Sequence, residues 1–222
     1  MRISDLGPFF DLQDRSDPGE WRPLADLHDG EVLDERVEYV AGFLHKLAGS
    51  EVDTRVCAST MSLGLFARLI SPLLGSAVLG QHLPRLTRTE TFWQPTVGGP
   101  WLLAMTGSPT KPEPGQAIRE ILNPLAETIS TRYSVSMKVL RGNIASGVFG
   151  AIRMISQQRP DLTESAQEIG RALLADQLLG AGVLAPGFRR SSCCLYYRIP
   201  GGGYCCDCVL TTASQPGPVL NS

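Results

Sequence analysis

The sequence predicts a mainly α-helical α+β fold with a small β-hairpin and a C-terminal cysteine-rich cluster loop, and three observations carry that expectation. Apolar residues recur every three or four positions along most of the chain, which is the helical period. Residues 90 to 105 instead gather aromatic and β-branched residues on either side of Gly98-Gly99, the pattern of a strand pair around a tight turn. Five of the six cysteines, Cys193, Cys194, Cys205, Cys206 and Cys208, crowd into 16 residues.

The first 30 residues are rich in Asp, Pro and Gly and read as irregular. From Glu31 to Leu47 the positions Leu33, Val37, Val40, Leu44 and Leu47 make one apolar face of a helix. A second helix, Thr54 to Gln81, is apolar on most faces and therefore buried, with a break or kink at Pro72. Its most apolar stretch carries Arg68 and Pro72, whereas a spanning helix needs about 20 residues with few or no charges. Beyond the hairpin, residues 107 to 115 form a Pro-rich connection. A helix from Gln116 to Thr131 follows, with Ile118, Ile121, Leu122, Leu125 and Ile129 on one side.

Ser136 is placed to cap a helix over 137–157. There Gly142, Ser146 and Gly150 form a stripe without bulk, read as a helix-packing surface. Asp161 is the expected cap of a last helix reaching Leu179. The chain thus divides into an irregular N-terminal region with the first helix (1–50), a mainly helical domain (51–187), the cysteine motif (188–210) and a flexible tail (211–222).

With 222 residues, 43% of them apolar, the chain can bury one substantial core. A net charge of −2 argues against nucleic acid as a partner. The N-terminus has no apolar h-region, so the expectation is a cytoplasmic protein with no transmembrane segment, peripheral contact with the inner membrane face being left open. In a reducing compartment clustered thiols point to metal or redox chemistry rather than to disulfides. No G-x-S-x-G or H-E-x-x-H occurs, and the three histidines, His28, His45 and His82, are scattered. Cys57 reads as a small core residue. Arg68 and Arg141 interrupt apolar helices and call for structural ion pairs. Arg189, Arg190 and Arg198 flank the motif, either solvated or offsetting the charge of the thiolates.

Cys193, Cys194, Cys205 and Cys208 are spaced C-C-x10-C-x2-C, enough thiolates in one loop to hold a zinc ion or an iron-sulfur cluster. Extended neighbours point to opposite faces, so two adjacent cysteines reach one ion only through a bent backbone. A two-iron cluster is a wider target, but spacing alone leaves both open. The intervening Gly201-Gly202-Gly203 lets the backbone fold tightly and bring N–H groups to sulfur. Tyr196 and Tyr197 read as packing residues, and Tyr204 as a shield.

The run Ser-Cys-Cys-Leu-Tyr-Tyr-Arg-Ile-Pro-Gly-Gly-Gly-Tyr-Cys-Cys-Asp-Cys resembles the C-terminal signature of the FhuF-type siderophore-iron reductases. Residues 58–69 and 140–146 are similar to weaker patterns of that family. The resemblance implies a 2Fe-2S cluster on Cys193, Cys194, Cys205 and Cys208. It also implies a cytoplasmic oxidoreductase of iron acquisition that reduces ferric siderophores, of the hydroxamate type, by one electron. No catalytic residue beyond the cluster is implied. Without a glycine-rich nucleotide fingerprint, electrons are expected from a separate ferredoxin, flavodoxin or NAD(P)H-dependent reductase. The position after the third ligand, usually Gly, is Cys206, read here as idle. The alternatives are a non-catalytic four-cysteine zinc module and a general 2Fe-2S electron-transfer protein. A siderophore synthetase would need an ATP site that the sequence does not display.

Overall fold

The computed structural model describes residues 2–16, 20–96, 99–175, 182–183, 189–205 and 207–211. In chain order these hold β1 (Arg22–Pro23), α1 (Gly30–Ala48), α2 (Thr54–Leu79), β2 (Leu83–Pro84), β3 (Thr91–Gln94), β4 (Leu102–Met105) and β5 (Pro109–Thr110). Then come α3 (Pro114–Ala117), α4 (Asn123–Tyr133), α5 (Met137–Gln158), α6 (Thr163–Leu174), β6 (Gly182–Val183) and β7 (Arg189–Arg190). The fold is mainly helical with small antiparallel sheets, as the sequence predicts. β3 and β4 pair with Phe92 opposite Ala104. β1 adds a third strand to that hairpin, so the N-terminal region is more ordered than its composition suggests.

The caps explain where two long helices start. Asp53 accepts from the Arg55 N–H, and Ser136 from the Val139 N–H. Asp161 does not cap α6: Leu162 holds that position, and the Asp161 carboxylate pairs with Arg159 instead. Leu179, the predicted end of this helix, lies outside the described residues, as do Gly98 and the tail from 212 onward.

α2 is the central element. It passes through Pro72 unbroken, because packing on nearly all its faces outweighs one lost backbone hydrogen bond. Among the described residues α2 is the one helix long and apolar enough to cross a membrane, and 72% of its most apolar window is buried inside the protein. Arg68 on α2 forms no ion pair among the described residues. Its guanidinium donates to the carbonyls of Trp101 (2.6 Å), Phe9 (2.9 Å) and Asp11, pinning the N-terminal segment to the core, and burial lowers its pKa to about 10.

α5 lies directly against α2. The close crossing is at Gly147, where a Cβ would sit 3.0 Å from the Ala67 Cα. The Gly142/Ser146/Gly150 stripe is therefore not the contact between the two helices, and it is free to meet other parts of the chain. The predicted helix over 116–131 begins earlier, at Pro114, and contains a π-turn at Ile118–Leu122 just before Pro124. A proline here removes an N–H, and the wider turn absorbs the misfit. On α1 the predicted apolar face holds at Leu33, Val37 and Leu44, but Leu47 is 54% exposed.

Candidate metal centre

The vicinal pair Cys193-Cys194 is followed by Leu195 in the left-handed region, with φ +69°. For a leucine this costs about 1 kcal/mol, and it turns the chain immediately after the pair. A short turn at Tyr196–Arg198 and left-handed glycines at Gly201 (φ +75°) and Gly203 (φ +69°) then reverse the chain toward Cys205. The N–H of Cys208 closes the second half on the Cys205 carbonyl at 3.1 Å.

This path brings the two halves of the motif together. The Cys194 and Cys205 sulfurs are 3.4 Å apart. Cys193 accepts the Leu195 N–H at 3.3 Å, and Cys208 accepts the Leu210 N–H at 3.4 Å. The N–H donors to sulfur thus follow the cysteines two residues later, rather than coming from the triple glycine. Cys194 and Cys208 are each 2% exposed, while Cys193 and Cys205 are half-buried. Cys206 lies outside the described residues. Among the described residues no three His, Cys, Asp or Glu side chains converge as a single metal ion would require.

Electrostatics separate the thiols. The contact between the Cys194 and Cys205 sulfurs lowers the Cys194 thiol below its ordinary range, and the same contact and burial push Cys205 up. Burial, then the neighbouring Cys194 and Cys208, raise Cys193.

α2 and α5 grip this loop through buried polar groups. Ser59 donates to the Cys194 carbonyl at 2.7 Å. Asn143, fully buried, donates to the Ser59 carbonyl (3.0 Å) and the Ser62 hydroxyl (2.9 Å), and its Oδ1 accepts from Arg190. Ser146 donates to the buried carboxylate of Asp207, and Ser192 donates to the Lys138 carbonyl at 2.8 Å. Ser59 and Ser62 lie in residues 58–69, Asn143 and Ser146 in residues 140–146, and these two stretches anchor the loop. Sequence reading passed over Ser59, Asn143 and Asp207. Small polar residues inside an apolar helix were the available signal, since each needs a partner once buried.

Gly142 faces the loop as well. A Cβ there would lie closer to the Ser192 Oγ than any real Cβ contact, and 2.9 Å from Arg190 Nη2. Gly142→Ala is expected to push the loop off α5 at a cost of about 1–3 kcal/mol, read as a drop of several degrees in the thermal melt. An unchanged melting temperature would mean that the loop does not bear on α5.

Of the flanking arginines, Arg189 and Arg198 are exposed while Arg190 is buried. Tyr196 packs against the core. Tyr197 does not, being 41% exposed and hydrogen-bonded to Arg198. Cys57 is buried, and its thiol donates to the Val52 carbonyl at 3.7 Å. Arg141 Nε is buried with no hydrogen-bond partner among the described residues. His28 and His45 bond to Thr128 and to the Val52 carbonyl.

A groove of about 250 Å³ runs along α5 to the thiols. Leu63, Phe149 and Met154 supply an apolar wall, Gly150 leaves it open, and Cys205 and Asp207 lie at one end. A cavity of about 240 Å³ beside Pro84 and Glu120 contains no cysteine.

No curated protein matches the chain. Residues 190–210 match the family described as the FhuF 2Fe-2S C-terminal domain.

Proposed function

We propose that this protein is a ferric-siderophore reductase whose Cys193, Cys194, Cys205 and Cys208 hold a 2Fe-2S cluster. The observation that carries the reading is the meeting of the two halves of the motif, with the Cys194 and Cys205 sulfurs in contact and the Cys208 N–H bonded to the Cys205 carbonyl. Thiolates about 2.3 Å from a tetrahedral metal meet in this way on zinc and on iron alike; the match over residues 190–210 favours the two-iron cluster.

When bound, the cluster supplies one electron at a time. The chain's own contribution is to bury Cys194 and Cys208, to direct the Leu195 and Leu210 N–H groups at sulfur, and to leave Cys205 beside the groove. Backbone donors of this kind favour the more negative, reduced form. The substrate is Fe(III) held by hard oxygen donors. Fe(II) stands low in the divalent affinity order, so one electron loosens the metal, and capture by other ligands draws the reaction forward. No proton-transfer residue or nucleophile is required. The electron donor is a separate carrier, and the site of action is the cytoplasm.

Protein purified without oxygen should be reddish-brown and contain iron and sulfide. Its dithionite-reduced form should show an EPR signal that disappears when a ferric trihydroxamate is added. A colourless zinc protein would eliminate the cluster, and a reduced cluster indifferent to the hydroxamate would eliminate the reductase.

The groove is where the siderophore approaches. A Cβ at Gly150 would meet nothing within 4 Å, so Gly150→Trp fills the groove without forcing the helices apart. It is expected to slow reoxidation by ferric trihydroxamate about tenfold, equivalent to ~1.4 kcal/mol of lost docking, and to leave reoxidation by ferricyanide unchanged. Stopped-flow traces with both oxidants check this, and equal rates in variant and parent would place docking elsewhere.

A further inference from the structure

We propose that Arg190 is the buried counter-charge of the iron-sulfur centre, balancing the negative charge of the four-thiolate group and raising its reduction potential. This inference rests on the cluster reading above.

Arg190 is 1% exposed. No carboxylate among the described residues lies within ion-pair distance of it: the nearby Asp207 carboxylate accepts from Ser146 instead. Its Nη2 donates to Asn143 Oδ1 and, at 3.4 Å, to the Val139 carbonyl. Its Nε and Nη1 have no hydrogen-bond partner among the described residues. A cation buried in this state is unfavourable unless an anion balances it.

Position identifies that anion. The main-chain N–H of Arg190 donates to the Asp207 carbonyl at 3.1 Å, which seats the residue against the Cys205–Cys208 half of the motif. The guanidinium reaches Cys194 through two side chains: Arg190 donates to Asn143 Oδ1, Asn143 donates to the Ser59 carbonyl, and the Ser59 hydroxyl donates to the Cys194 carbonyl. The missing side chain of Gly142 makes the space that the guanidinium occupies. Its neighbour Arg189 is exposed, so the burial belongs to this one residue and not to a generally basic loop.

The charge has a direction of effect. Reduction adds one negative charge to the thiolate-bound centre, so a fixed cation beside it favours the reduced form and raises the potential. A purely structural arginine would tie the loop to α5 through Asn143 and change the stability alone.

EPR-monitored redox titration of the full chain, purified without oxygen, separates the two roles. Arg190→Met is expected to shift the reduction equilibrium at least about tenfold toward the oxidised form, which is 59 mV for a one-electron couple. Arg190→Lys keeps the charge and should stay near the wild-type potential. A methionine variant with full iron content and the wild-type potential would overturn the proposal. If Arg190→Met assembles no cluster, the charge reading requires that Arg190→Lys still does, and a lysine variant equally devoid of iron overturns it. Absence of iron from the wild-type protein would instead defeat the cluster reading itself.

Discussion

Asn143→Leu is expected to destabilise the protein by about 3 kcal/mol and to strip it of most of its iron. Leucine keeps the branching of asparagine and opens no cavity, so the effect comes from the lost polar atoms. Asn143 is fully buried, and its amide spends both ends: Nδ2 on Ser59 and Ser62, Oδ1 on Arg190. Without Oδ1 the buried guanidinium keeps, among the described residues, only the long contact to the Val139 carbonyl. A partner lost by a buried charged group costs more than one lost by a neutral group. For a chain of this size the loss corresponds to roughly 10 °C in melting temperature. Calorimetry and iron counting on the same preparation test it. A melt within about 2 °C of wild type, at full iron content, would mean that the network does not position the loop.

Cys194→Ser is expected to abolish the EPR signal and the visible colour. Cys194 lies in contact with Cys205 at the meeting point of the two halves of the motif, and at 2% exposure it cannot be replaced by a ligand from solution. Serine offers a hard, weakly acidic hydroxyl in the same place. Cys206→Gly, which restores the residue usual after the third ligand, is expected to leave colour and signal intact. The pair is decisive, because a coloured Cys194→Ser protein together with a colourless Cys206→Gly protein would move the fourth ligand to Cys206.

These two residues also mark the limits of what a sequence displays. The cysteine motif was legible because its parts are local: four thiols within 16 residues cannot lie far apart, and the chain turns at Leu195 directly after the vicinal pair. The long helices were legible because apolar period and cap chemistry are local too, as Ser136 on α5 illustrates. Asn143 was not legible. It meets Ser59 across 84 residues and Arg190 across 47, and no periodicity encodes such meetings. Local rules also misfired where packing overrode them. Pro72 does not break α2, and Arg68 satisfies its burial with three carbonyls rather than a carboxylate.

By itself, then, the sequence determined the helical character of the chain, the starts of its capped helices and the crowding of its thiols. All of these follow from interactions between residues near one another in the chain. The tertiary structure alone decided which of three arginines is buried, which thiols touch, and that the Gly142/Ser146/Gly150 stripe serves the cysteine loop and its groove rather than the α2 contact. Burial and charge balance are properties of residues brought together by packing, so they come into being only when α2, α5 and the loop close on one another.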